Sequence, residues 1–331
     1  MMTQFIPTEQ LLNRETHFET FISDVLEPFW QQRQEWQFTG IDNIPVQCVR
    51  FTAKEHTKAV VIISGFLESY IKYQELIYDF FHQGYDVFMF DHRGQGFSGR
   101  MLTKRYPVFV ERFSDYVEDL ATFWHDNIAS SHYRQRYLLG HSMGGAITSL
   151  FLAKRPCAVN AAVLSAPMAG IKLPMPLWCA NVLVNITQRC DSLRKACVIK
   201  RKTPFPFKLN VSCNSEPRYQ RFIDLYYQYP ETQLYGPTFH WVKEAMEAGK
   251  LMIASAPNIT TPLLLLQAGK EHLVSNSAQN QFIEALQHAG NLHPGEGLIR
   301  YKEAAHEILF DRDAIRVQAL NQIFNFFEQY Q

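Results

Sequence analysis

Short runs of unbroken apolar character punctuate the chain: AVVIIS at 59–64, DVFMFD at 86–91, YLLGHS at 137–142, AAVLSAP at 161–167 and PLLLLQAG at 262–269. Runs without polar alternation suit strands covered on both faces, as in a parallel sheet. Between them lie stretches with helical spacing. In 113–129, for example, Phe113, Val117, Leu120, Trp124 and Ile128 recur every three or four positions and predict one buried helical stripe. Alternating strand and helix implies βαβ units with right-handed crossovers. Ahead of this core, WQFTGIDNIPVQCVRF (36–51) predicts an antiparallel edge hairpin. LIRYKEA (298–304) predicts a last strand, and the segment from His306 to Tyr330 an amphipathic terminal helix. The alternation breaks over 168–256, which is rich in Pro, Trp, Tyr and Phe. The expected architecture is therefore an α/β core of residues 1–167 plus 257–331, with a mostly parallel sheet flanked by helices and an inserted, largely helical cap at 168–256.

Composition changes this picture little. Of 331 residues, 47% are hydrophobic and 19% charged, enough to bury a large core without staples. Lys plus Arg and Asp plus Glu both number 32, so no net field argues for nucleic acid as a partner. The six cysteines (Cys48, Cys157, Cys179, Cys190, Cys197, Cys213) show neither CxxC nor zinc spacing. The N-terminus MMTQFIPTEQLLNRETHF lacks a basic start followed by an apolar stretch, and no run of about 18 apolar residues occurs. We expect a reduced, cytoplasmic protein that contacts at most the inner face of a membrane, and needs neither metal nor organic cofactor.

The chemistry gathers at Gly140-His141-Ser142-Met143-Gly144-Gly145, which follows an apolar strand and precedes the helical pattern of 146–155. A serine in so sharp a strand-to-helix turn has strained dihedrals, needs small neighbours, and sits beside a helix N-terminus. Ser142 is the candidate nucleophile. Its base is expected later in the chain, on a loop after a strand. His306 in AAHEILFD meets this condition, and His293 is the runner-up. Glu271 in AGKEHLV is the one carboxylate in its loop and the candidate orienter of the imidazole, preferred to Asp311 and Asp313. An oxyanion would be met by the backbone N–H of Met143 and that of Phe66 in SGFLE (64–68). The Asp91–Ser98 loop lacks GKS/T and a third dinucleotide glycine, so we read it as support for neighbouring loops.

On DHRGQGFSG, GHSMGG, the acid in AGKEHLV and the histidine in AAHEILFD, in that order, the chain resembles the monoacylglycerol-lipase and bacterial lysophospholipase branch of the α/β hydrolases. Within that branch it is most similar to the bacterial inner-membrane lysophospholipases. The likeness runs over 55–170 and 258–328. It implies an α/β-hydrolase fold, Ser142, Glu271 and His306 as triad, and cleavage of the acyl ester of a lysophospholipid or monoacylglycerol. Two departures are visible. The branch opens its oxyanion loop with His-Gly-x-Gly-Glu, where this chain has Ser64 and Leu67 in place of the histidine and second glycine, and its acid is commonly Asp.

Between Arg189 and Lys208 seven basic residues face one acid, Asp191. Arg194, Lys195, Lys200, Arg201 and Lys202 are the candidates for meeting an anionic headgroup or membrane surface; a plain solvated face is the competing reading. Carboxylesterase activity and acyl transfer to a second alcohol share this machinery, as does peptide cleavage. A non-catalytic lipid-binding scaffold would be expected to lack a triad or oxyanion element.

Overall fold

The computed structural model describes residues 13–129, 131–155, 159–200, 204–293 and 296–331; Arg201, Lys202 and Cys157 lie outside them. Eight strands form one sheet: β1 (Gln34–Thr39), β2 (Pro45–Phe51), β3 (Lys58–Ile63), β4 (Tyr85–Phe90), β5 (Gln135–His141), β6 (Ala161–Ser165), β7 (Leu263–Ala268) and β8 (Leu298–Tyr301). Their order is β1-β2-β4-β3-β5-β6-β7-β8. β1 and β2 pair antiparallel, Gln34 opposite Arg50, and β2 is antiparallel to β4; from β4 to β8 every pairing is parallel.

The apolar runs are continuous because both faces of the sheet are covered. Along β3, Val61 and Ile63 point into a core shared with helices α2 (Ser114–Trp124) and α3 (Met143–Lys154), while Val60 and Ile62 point into a second core. That second core is built with α1 (Gln74–His82) and the terminal helix (Asp313–Glu328). The edge strand β1 instead alternates, with Trp36 and Phe38 partly buried against the core. The predicted stripe from Phe113 to Ile128 is buried throughout. Its helix loosens to π geometry at His125–Ala129, which the spacing did not reveal.

Between β6 and β7 the chain is helical: α4 (Leu177–Thr187), α5 (Glu216–Gln228) and α6 (Phe239–Ser255), followed after β7 by α7 (Asn276–His288) and, at the end of the chain, α8 (Asp313–Glu328). A two-residue pairing of Pro107–Val108 with Gly236–Pro237 ties the 168–256 segment to the loop after β4. Helix α6 packs against α3 and α7 as well as α4. Helix α5 is pinned from below. Arg218 donates to Glu75 of α1 (2.8 Å) and Asp313 of α8 (2.6 Å), within a buried network that includes Arg14, Asp79 and Arg316.

Candidate active site

At the carboxyl end of β5 the chain must reverse into α3 within a few residues. Ser142 takes φ +51°, ψ −115° to do so, a conformation that costs a side-chain-bearing residue roughly 1–3 kcal/mol. The surrounding packing enforces it. A Cβ on Gly144 would lie 2.1 Å from the Ile63 carbonyl oxygen, and one on Gly140 would lie 2.6 Å from that of Gly144. Only glycine at these positions lets α3 start against the end of β3.

His306 leaves β8 on a loop and places Nε2 2.9 Å from Ser142 Oγ. Its Nδ1 is 2.7 Å from Glu271 Oε2. A carboxylate only accepts, so Nδ1 carries the hydrogen and the Nε2 lone pair faces the serine hydroxyl. All three side chains are buried. Burial pushes the Glu271 carboxyl up, but the hydrogen bond and charge of His306 and the N–H groups of Leu273 (2.7 Å) and Val274 (3.2 Å) outweigh it, and the net shift is downward. The group that would hold an imidazolium thus stays ionised.

The other candidates fall away on position. His293 is exposed in the loop ahead of β8, at the edge of the sheet opposite Ser142. Asp311 accepts from Ala305 N and Asn214, and Asp313 from Arg218. His141 turns to the Ser165 carbonyl at 3.2 Å. Burial, aided by the nearby His306 and Lys72 charges and opposed by Glu68, depresses His141 to about 3, so it stays neutral.

In the loop after β3 the two N–H groups flanking Phe66 are taken. Gly65 N–H donates to Glu68 Oε2 and Leu67 N–H to Gln95 Oε1, both at 2.5 Å. Among the described residues no protein acceptor engages the N–H of Phe66 or of Met143. Leu67 sits at φ +64°, where glycine is at ease and leucine is not. The Asp91–Ser98 loop bolts this segment down: Asp91 accepts from Ser69 Oγ (2.8 Å) and Tyr70 N (2.7 Å), and His92 Nε2 meets the Ser64 carbonyl at 3.1 Å.

Of the basic candidates, Arg194 forms a two-pronged pair with Glu111 (3.0 Å each) and also meets Asp191, which Lys195 shares. Lys195 and Lys200 line a groove of about 720 Å³ together with Lys104, Arg105, Tyr106 and Tyr235. Arg201 and Lys202 are outside the described residues. Sequence reasoning passed over Lys104 and Arg105, which lie far from the basic run, and Lys172, whose ammonium donates to the Glu271 carbonyl at 2.7 Å. It also gave no role to Glu68, although Glu68, like Gly65, is a position of SGFLE that keeps the branch's residue. Among the described residues no group of three His, Cys, Asp or Glu side chains is arranged to hold a metal, and no helix is long and apolar enough to cross a membrane.

The sheet order and the serine elbow at its carboxyl edge define an α/β hydrolase. Residues 54–313 match the family described as serine aminopeptidase, S33. Lysophospholipase L2 of Escherichia coli (strain K12) is 45% identical over 96% of this chain and 94% of its own length. The probable lysophospholipase L2 of Haemophilus influenzae is 32% identical, over 95% and 98%. Among solved structures, a soluble variant of monoglyceride lipase from Saccharomyces cerevisiae in complex with a substrate analog aligns with a TM-score of 0.66 at 17% identity, over 90% of this chain and 97% of that one. The chain belongs to the serine aminopeptidase S33 family and is a homologue of the bacterial lysophospholipase L2 proteins; it is a carboxylic ester hydrolase.

Proposed function

We propose that the protein releases a fatty acid from a lysophospholipid through an acyl-enzyme on Ser142. His306 Nε2 takes the proton as Oγ attacks the ester carbonyl, and the C=O pair moves onto oxygen, met by the N–H groups of Phe66 and Met143. Collapse expels the glycerol-side alcohol, which takes the proton from His306. Water, deprotonated by the same imidazole, then frees the acid. Glu271 holds the imidazole's orientation and stays ionised. The observation that carries this reading is the buried chain of contacts from Glu271 through His306 to Ser142, at 2.7 and 2.9 Å.

The substrate assignment rests on the names of the relatives and on the 168–256 segment, which we take as a cap. Trp178, Val182 and Ile186 stand exposed one helical turn apart on α4, with Leu183 beside them and Arg189 just after the helix. Such a face suits the surface of an anionic bilayer. We place the protein in the cytoplasm, peripheral on the inner membrane face; the described cysteines are all free thiols. A monoacylglycerol substrate is the second reading. It draws support from Arg194 and Lys195 being engaged by acids of the protein itself.

The test is fatty-acid release from an anionic lysophospholipid, a zwitterionic one and a monoacylglycerol, at low and high salt, with Ser142→Ala alongside. We expect salt-sensitive preference for the anionic lysolipid and a loss of at least about 1000-fold in Ser142→Ala. Undiminished turnover in that variant refutes the mechanism. Preference for monoacylglycerol without salt dependence transfers the assignment to neutral lipid.

A further inference from the structure

Beneath the loop that carries Phe66 lies an ion triplet that takes no part in the proton transfers at Ser142. Lys72 Nζ donates to Glu68 Oε1 at 2.5 Å and to Glu307 Oε2 at 2.7 Å. Glu68 Oε2 accepts from Gly65 N–H and from Tyr73 Oη, both at 2.5 Å. The Lys72 and Glu68 side chains are at most 8% exposed and that of Glu307 is 18% exposed. The ammonium also stands 4.6 Å from the ring centre of Phe310. Glu307 follows His306 directly, and its N–H donates to the Ser212 carbonyl at 2.8 Å.

A buried ion cluster contributes little net stability, because desolvation offsets most of the attraction and apolar side chains of similar volume do as well. Its distinctive effect is directional. One ammonium here clamps two loops that arrive from opposite ends of the chain, one holding the N–H for the oxyanion and the other the imidazole. Because the Gly65 and Leu67 N–H groups are both engaged by side chains, the peptide plane of Phe66 is set from both sides. Glu68 supplies one of those two holds, and Lys72 keeps Glu68 ionised and in place.

We infer that Lys72, acting through Glu68 and Glu307, is a positioning residue that fixes the Phe66 N–H and His306 relative to Ser142. The inference rests on the acyl-enzyme reading above. The charge states fit it. Burial raises the Glu68 carboxyl, but the charge and hydrogen bond of Lys72 and the hydrogen bond from Tyr73 outweigh that and hold it down at about 2. Burial lowers the Lys72 ammonium, but Glu307 and Glu68 outweigh that and raise it.

The experiment compares wild type, Lys72→Met, Lys72→Arg and Glu307→Gln on p-nitrophenyl butyrate. Active serines are counted with a fluorophosphonate, and affinity is measured for an alkyl boronic acid, whose adduct with the serine carries the tetrahedral oxyanion geometry. A misplacement of about 1 Å costs on the order of 100-fold. We therefore expect Lys72→Met to lower kcat per titrated serine about 30 to 100-fold with KM within about two-fold, and to weaken the boronate by the same factor. Lys72→Arg should recover most of both. A merely structural role would lower the titratable fraction and leave turnover and boronate affinity per titrated site within about three-fold of wild type, which would overturn the inference. If Lys72→Met does not fold, Glu307→Gln decides: it keeps the Lys72–Glu68 pair and should show the same joint signature at about 5 to 10-fold, and no change overturns the inference. Wild type that the fluorophosphonate does not label, or Ser142→Ala that still turns over, defeats the serine reading itself. Normal labelling of wild type with an undiminished Lys72→Met defeats only the positioning role.

Discussion

Ser142 shows how much chemistry a single backbone angle can demand of its neighbours. Its positive φ is sustained by packing that leaves no room for a methyl group at Gly144, where the Ile63 and Ser64 carbonyl oxygens would lie 2.1 and 2.5 Å from a Cβ. We expect Gly144→Ala to destabilise the protein by roughly 1–3 kcal/mol. Displacing the end of β3 moves the Phe66 loop with it, so turnover per titrated serine should fall on the order of 100-fold. A urea midpoint and a titrated rate check both; wild-type values in either would show that the elbow has slack. This constraint is local, which is why the elbow stands out in the sequence. His306 and Glu271 can be nominated from the sequence because chain order and loop position narrow the choice. The Lys72 clamp was not legible: its carboxylates lie four residues before and 235 residues after it, and no spacing rule connects a loop after β3 to one after β8. Leu67 is a plainer case, since its left-handed conformation explains why the resembling branch keeps glycine there.

At the scale of elements, legibility follows burial. The parallel strands are covered on both faces, so their hydrophobic runs are unbroken and their positions read off the chain to within a few residues. The helical turns of 15–30 carry no comparable stripe. They are held by contacts distant in sequence, such as Phe29 stacked on Phe51 at 4.4 Å and Glu15 meeting Asp313, and sequence reading passed them by. Helices α4 and α5 differ in how they are held. Helix α5 is fastened by Arg218 to α1 and α8, whereas α4 leaves Trp178 71%, Val182 53% and Ile186 52% exposed. Solvent exposure of three large apolar side chains on one face is costly unless something covers it part of the time. If that cover is a lipid surface, replacing Trp178, Val182 and Ile186 together by serine should weaken partitioning onto vesicles of anionic phospholipid at least ten-fold, by the roughly 1.5–3 kcal/mol that burying one such side chain contributes. Turnover of a soluble butyrate ester should stay within about two-fold. Equal vesicle binding by the triple variant and wild type would remove α4 from the membrane reading.

Over the whole molecule the charges balance, 32 against 32, so pH acts on stability through individual buried groups rather than through net repulsion. Burial depresses His92 to about 4 and His141 to about 3. The unfolded chain binds these protons near the ordinary value of 6.5 and the native one does not, so stability is lost as pH falls below 6.5. Asp91 works the other way. Burial outweighs its hydrogen bonds from Phe97, Tyr70 and Ser69 and lifts it to about 7. The native state therefore holds a proton that the unfolded chain releases down to about pH 4, and stability from this group rises as pH falls through that window. For these three groups, two histidines against one aspartate leave a net uptake of about one proton on unfolding between pH 6 and 4.5, a slope of at most roughly 1.4 kcal/mol per pH unit, which Asp119 and Asp311, both raised by burial, ease further. Below 4.5 Glu68, held at about 2, adds its own loss, as do Glu75 and Glu271, both lowered. We therefore expect urea midpoints to decline gently from pH 6.5 to 4.5 and steeply beneath. In His92→Asn one of the two histidine protons is gone, and the gentle limb should flatten while the steep one remains. A steepest loss above pH 6, or an unchanged upper limb in His92→Asn, would mean that the buried histidines do not govern acid stability in this fold.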